Sequence, residues 1–322
     1  MDFKLSNTAV LFVFFKRRDE SLRVFEAIRS AQPPRLYLVS DGARANVHEE
    51  SKIVEELRET IMSLIDWNCE VVTHFRKKNL GCHLSMEDSI TWFFLHEKEG
   101  IILEDDCLPD PSFFPFCEQM LERYRDQEHV MMISGVNSYP LKDMKESYFF
   151  APFINIWGWA TWRRAWEKYD PKLQKWPQFK KEKKLEKICT SAGVRVYEKT
   201  YQALYRQELI LWDSRWSFAV FSHQGLVVFP AVNLVSNIGL TQGTTTQKYD
   251  PFLNRSTRSV SFPLRHPERV EIDIMMTHLF AKYISPRSYT RTVWLILKRW
   301  GIKGVFPLMQ GIGHVLRQKL GF

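Results

Sequence analysis

The chain has no C-x-x-C pair, and its five cysteines, Cys69, Cys82, Cys107, Cys117 and Cys189, are odd in number and scattered. That argues against a zinc site or a disulfide framework and favours a reducing, cytoplasmic setting. No apolar run reaches the ~20 residues that a membrane span needs. The run near the start, "TAVLFVFF" from Thr8 to Phe15, is also too short for a signal-peptide core with its cleavage site. The protein is therefore expected to be soluble or peripheral. No G-x-G-x-x-G follows the first apolar run, and G-x-x-x-x-G-K-[ST] occurs nowhere. An ordinary dinucleotide fold and a P-loop are thereby disfavoured. Internal repeats and low-complexity linkers are missing as well.

What is present points to a large mixed fold. The 322 residues are 45% hydrophobic, enough for one large α/β domain or two smaller ones. Aromatic residues make up 14%, with 11 Trp, a content that suits binding grooves as well as core. The net charge of +8 suggests an anionic partner: a phosphorylated substrate, a membrane surface or nucleic acid. The basic residues are spread along the chain without a recognised nucleic-acid module, so nucleic acid is not the expected partner.

Apolar runs alternate with amphipathic stretches through the first 140 residues. "AVLFVFF", "RLYLVS", "CEVVTHF", "IILEDD" and "VMMISGV" read as strands. Between them, "LRVFEAIRSA" (stopped by Pro33 and Pro34), "EESKIVEELRETIMSLI", "SMEDSITWFFLHEKEG" (closed by Gly100) and "PSFFPFCEQMLERYRD" read as helices. This rhythm predicts an α/β fold with an open, mostly parallel sheet flanked by helices, binding its ligand at the carboxyl ends of the strands. From about Tyr148 the pattern changes to Trp-rich and charged segments. The expected organisation is one domain over 1–250, with a first half (1–140) fused to a second (141–250). A helical, basic extension follows over 251–322.

The stretch "GIILEDDCLPDP" puts three consecutive carboxylates, Glu104, Asp105 and Asp106, at the end of a buried strand. Adjacent acids repel, so something must compensate them. A hard divalent cation, Mg²⁺ or Mn²⁺, is held by one or two carboxylates plus substrate phosphates. The mundane alternative is a solvated acidic turn. A second acid, Asp213 in "LILWDSRW", lies between Trp212 and Trp216 and is a candidate general base. It also reads as a helix N-cap or a partner of Arg215, and Glu208 is the reserve base. In "NIWGWATWRRAW", Trp157, Trp159 and Trp162 read either as core or as faces for sugar stacking, and Gly158 permits close backbone approach.

Together, "NLGCHLSMEDSITWFFLHEKEGIILEDDCLPDPSFFPFC" and the later "WGWATW" resemble the bacterial hemolysin-activation-like nucleotide-diphospho-sugar transferases of the glycosyltransferase-A (GT-A) superfamily. More distantly they resemble the N-acetylglucosaminyltransferase I group. The resemblance covers about Thr8 to Thr245. It implies a GT-A fold and a metal-dependent inverting glycosyltransferase that uses a nucleotide-sugar donor, with UDP as carrier. The acceptor would be a glycan or lipid-linked glycan in bacterial surface polysaccharide or lipopolysaccharide synthesis. It further implies Asp106 as the metal ligand, Asp105 at the ribose, and Glu104 at the donor sugar or a metal-bound water. Asp41 would sit at the uracil base, Arg17 at the nucleotide, Trp157 and Gly158 beside the donor sugar, and Asp213 as the base.

The chain departs from that pattern near "NLVSNIGLTQGTTTQ". Relatives often carry a His there, where Thr246 stands, and His223 and His266 are out of register. His83 stands where relatives often have a basic residue. A sugar nucleotidyltransferase of the same fold is one rival, although "FKRRDES" lacks the glycine-rich loop of that class. A catalytically inactive carbohydrate- or lipid-binding protein is the other. At the C-terminus, "VWLILKRWGIKGVF" (Val293 to Phe306) mixes apolar and basic residues. It reads either as a peripheral contact with the inner face of the cell membrane or as a tail packed back on the domain.

Overall fold

The computed structural model describes residues 3–138, 144–239 and 255–284, without the side chains of 281–284. The first half alternates as its hydrophobic pattern predicts. Strand β1 (Val10–Phe14) leads to helix α1 (Arg18–Ala31), β2 (Arg35–Ser40) to α2 (Glu50–Ser63), and β3 (Glu70–Phe75) to α3 (Cys82–His96). Strand β4 (Glu99–Glu104) turns into a short β5 (Cys107–Pro109), followed by α4 (Phe113–Arg123) and β6 (Val130–Ser134). The second half contributes β7 (Tyr148–Ala151), β8 (Trp159–Trp162), α5 (Arg163–Trp166), α6 (Trp176–Lys181), α7 (Ser191–Tyr205) and α8 (Trp212–Ser222). It closes with β9 (Leu226–Pro230), β10 (Val235–Asn237) and α9 (Ile274–Ile284).

Eight strands form one sheet in the order β3-β2-β1-β4-β8-β6-β9-β7. Only β8 and β7 run against the other six. The protein thus has a mixed α/β fold, with a large, mostly parallel, Rossmann-like sheet flanked by helices. Because side chains alternate along a strand, β1 feeds two cores. Val10, Phe12 and Phe14 pack on one face with Val24, Phe25 and Ile28 of α1 and Phe113 and Phe116 of α4. Leu11 and Val13 belong to the opposite core, with Ile90 and Phe93 of α3 and Trp159, Trp212 and Trp216. The two halves of the chain share this sheet, since β8 lies between β4 and β6.

Residues 255–284 pack on the same body. Ile272 bridges Phe150 of β7, Ser147 donates its N–H to Arg265 O at 2.8 Å, and Val260, Leu264, Met275, Met276 and Leu279 are buried. Thr246 and the segment Val293–Phe306 lie outside the described residues. Among the described residues, no helix is long and apolar enough to cross a membrane.

Two local expectations are corrected. Helix α3 ends at His96, not at Gly100. The chain turns extended at Glu97, whose carboxylate is held by Arg35 Nε at 2.6 Å and Tyr37 OH at 3.0 Å. Gly100 instead lies inside β4, where a Cβ would run into the Phe93 ring and stand 3.0 Å from Ala9 O. The strand read as "IILEDD" ends at Glu104, so Asp105 and Asp106 occupy the turn into β5.

Gly100→Ala is expected to destabilise the fold by about 1–3 kcal/mol, the usual cost of overpacking a core. Urea denaturation followed by circular dichroism checks this. A stabilised variant would show that the space beside Phe93 is not tight.

Candidate functional site

The carboxyl ends of β1, β2 and β4 lie side by side, with Val13 opposite Glu104 in register. The acids at the end of β4 therefore meet the segment leaving β1. Arg17, the residue before α1, reaches across with its guanidinium. Its Nη1 donates to Asp105 Oδ1 at 3.2 Å and to Asp106 Oδ2 at 2.7 Å. Asp105 also accepts the backbone N–H of Phe15 at 3.3 Å. The compensation that the sequence demands is thus supplied within the chain, and the run is not a solvated turn: Asp105 and Asp106 side chains are only 12% and 16% exposed.

One guanidinium does not neutralise three carboxylates. Burial, then the neighbouring Asp106, pushes the Asp105 carboxyl up to about 7, although Arg17 opposes the shift. Glu104 is raised well above the usual carboxylate range, first by the dense protein around it, then by Asp106, Asp105 and Asp213. Asp213 therefore belongs to the same electrostatic cluster, more than a hundred residues away in sequence. The Cys82 thiol marks the same place. It keeps an exposed face, yet lost solvation and the fields of Glu104, Asp213, Asp105 and Asp106 push it up to about 12.

Asp213 lies in the first turn of α8, which begins after Leu211. Neither mundane reading of it is realised. The position before the helix is Leu211, without a side-chain cap, and Arg215 pairs instead with Glu87 at 2.8 Å. One Asp213 oxygen accepts Ser214 N–H at 2.7 Å. Its base is rigid: Trp212 and Trp216 are buried, and both pack on Trp159 with ring centroids 6.1 Å apart. Glu208 is 58% exposed and pairs loosely with Arg206 at 3.8 Å, so nothing among the described residues joins it to the acids.

Three donor-side expectations acquire a different physical basis. Asp41 is buried and already engaged: its carboxylate accepts N–H groups from Gly42, Leu80 and Gly81, each at 3.0 Å. It clamps the end of β2 to the loop that starts α3, rather than presenting free oxygens to a base. Gly158 has a left-handed backbone (φ 64°), and a Cβ there would meet the Val235 side chain and Leu103 Cδ2 at 3.2 Å. Its close approach is to β10, not to an open cleft. Trp157 is half-buried against the core, whereas Trp159 and Trp162 are fully buried.

Three contributors were not singled out in the sequence. The ribbon of β10 on β5 delivers Gly239 against Asp106, with Ile238 N–H bonded to Asp106 O at 2.7 Å. The only signal for this was the "NIG" in which the strand ends. Cys82, in "NLGC", begins α3 beside the acids. Glu50, 1% exposed, joins Lys16 (2.8 Å) to Arg44, tying the segments after β1 and β2 together. Arg44 above all holds its carboxyl down to about 2.

Among the described residues no three His, Cys, Asp or Glu side chains converge as a ready-made metal cage. A donor set of one or two carboxylates fits Mg²⁺ or Mn²⁺ that completes its shell with phosphate and water. The guanidinium bridging Asp105 and Asp106 shows that the site accepts positive charge.

No family model matches the chain, and no curated protein matches it. Solved structures that align with it include mouse xyloside xylosyltransferase 1 in its apo form, at 11% identity and a TM-score of 0.33, over 68% of this chain and 82% of that one. Apo UDP-glucose pyrophosphorylase aligns at 9% identity and 0.35, over 73% and 94% of the two chains. HddC from Yersinia pseudotuberculosis aligns at 11% and 0.30, over 49% and 77%. Likenesses this distant carry no argument about function.

The sign of the Asp105 shift gives a pH test. Its folded-state pKa of about 7 lies above its ordinary value of 3.8. Folding is therefore penalised progressively as pH rises between these values, and fully above the higher one. In metal-free protein, Asp105→Asn is expected to gain melting temperature over the parent from pH 5 to pH 8. Arg17, Asp106, Glu20 and Glu104 are unchanged in both proteins. A gap that stays flat or narrows over that range contradicts the assignment.

Proposed function

We propose that this chain is a metal-dependent inverting glycosyltransferase that moves a sugar from a nucleotide-sugar, with UDP as the carrier, to a hydroxyl of a glycan or lipid-linked glycan. One observation carries the reading. Four acids, from the end of β4, the turn that follows it and α8, share a single electrostatic cluster at the carboxyl ends of parallel strands, with Arg17 beside them. The resemblance of the E-D-D segment and its neighbours to nucleotide-diphospho-sugar transferases supplies the reaction class.

Asp106 would hold Mn²⁺ or Mg²⁺, whose chemistry is to neutralise the diphosphate as it leaves. Asp105 would face the ribose, as the resemblance implies. Glu104 would hydrogen-bond the donor sugar or a metal-bound water. Asp213 takes the proton from the acceptor hydroxyl while that oxygen attacks the anomeric carbon and the bond to the diphosphate breaks. The Trp212–Trp159–Trp216 packing fixes the base, which matters because small misplacements of reacting groups cost large factors in rate. A sugar nucleotidyltransferase would also use acids at this strand end. Asp213 favours glycosyl transfer, because it adds a carboxylate from a separate helix, poised for the acceptor.

Asp106→Ala is expected to abolish Mn²⁺-dependent UDP binding in calorimetry while the circular dichroism spectrum stays native. Unchanged affinity removes the metal assignment. Asp213→Asn is expected to lower kcat by ~10²- to 10⁴-fold with little change in donor affinity. The assay follows a screen of nucleotide-sugars for Mn²⁺-dependent release of the nucleoside diphosphate. Near-full turnover in the variant places the base elsewhere.

A further inference from the structure

Both oxygens of Asp106 are engaged. Oδ1 accepts the Cys107 thiol at 3.4 Å, and Oδ2 accepts Arg17 Nη1 at 2.7 Å. Gly239 presses on the same carboxylate, and a Cβ there would stand 3.0 Å from Asp106 Cγ and collide with Oδ2. That wall is fixed: Ile238 N–H bonds Asp106 O at 2.7 Å, and Asn237 Oδ1 accepts Gly239 N–H at 3.0 Å. A cation that is to use Oδ2 cannot come past Gly239. Arg17 Nη1 already holds that same oxygen.

Arg17 is built to leave. Its side chain is 30% exposed, more than either carboxylate it bridges. It precedes α1 with a non-helical backbone (φ −81°, ψ 87°), and its side chain caps no N–H of that helix. The helix is anchored through the Arg17 carbonyl, which accepts Ser21 N–H at 2.9 Å. The guanidinium can therefore swing without unwinding α1. Once expelled it is a cation beside the acids, with a planar fork that suits phosphate oxygens.

We propose that Arg17 is a resident counter-cation which a divalent metal displaces from Asp106, and which then pairs with the diphosphate of the donor. This rests on the nucleotide-sugar reading above and adds a mechanism of coupling to it. Metal alone must compete with the guanidinium and binds weakly. Metal with diphosphate binds well, because the displaced charge gains a new partner. By linkage each ligand tightens the other by the same factor.

The test is a Mn²⁺ titration at pH 8, read from the electron paramagnetic resonance signal of free Mn²⁺. It uses the full chain and its Arg17→Met and Arg17→Lys variants, with and without UDP. Arg17→Met is expected to bind Mn²⁺ alone about 10-fold more tightly than the parent, and to lose most of the tightening that UDP confers. Arg17→Lys should fall between, because the ammonium keeps a positive charge beside the acids but lacks the planar fork that suits phosphate oxygens. A Met variant that binds Mn²⁺ no tighter than the parent overturns the proposal, as does one that keeps the full UDP effect. If the variant gains Mn²⁺ affinity while UDP changes nothing in any of the three proteins, displacement is upheld and the nucleotide-sugar reading falls.

Discussion

The site depends on holding like charges together at the end of a buried strand. Glu104, Asp105 and Asp106 follow one another where β4 leaves the sheet, and their repulsion is only partly relieved by Arg17. An arrangement of this kind stores electrostatic free energy. The fold keeps it because the strand that delivers the acids is locked between β1 and β8, with Ile101, Ile102 and Leu103 wholly buried. Any positive charge held there relieves part of that repulsion, as Arg17 does.

Around the acids the backbone is fastened by groups that do no chemistry of their own. Asp41 spends its carboxylate on the N–H groups of Gly42, Leu80 and Gly81, and so fixes where α3 begins. Gly158 turns through a left-handed conformation, and Gly239 presses on Asp106, each at a spot where a side chain would not fit. On the facing side, Trp159, Trp212 and Trp216 form a stiff aromatic floor beneath Asp213. Rigid support is what lets a carboxylate act from a defined position. Glu50 does the corresponding work at the outer rim, drawing Lys16 and Arg44 together across two loops.

Much of this was legible in the linear chain. The alternation of buried strands and amphipathic helices through the first 140 residues determined the α/β class and the direction of the sheet, because side-chain periodicity follows backbone geometry. Acids following "GIIL" announced a strand-end site, since three carboxylates there need compensation. The Trp residues flanking Asp213 pointed to a partly desolvated acid. Helix and strand ends were less legible: Gly100 looked like a helix stop, yet it is a strand glycine demanded by Phe93, a neighbour known only once α3 and β4 pack.

Tertiary structure alone decided who compensates whom. Nothing in the spacing of Arg17 and Asp106, or of Glu104 and Asp213, predicts that they meet, because long-range contacts arise from sheet order rather than from local pattern. The placement of β8 between β4 and β6 fused the two halves into one body, and the β10–β5 ribbon carried Gly239 onto Asp106. The same holds for Asp41, which the resemblance put at the uracil base. Its lone pairs are taken by a loop forty residues away, and only the folded chain brings those N–H groups within reach.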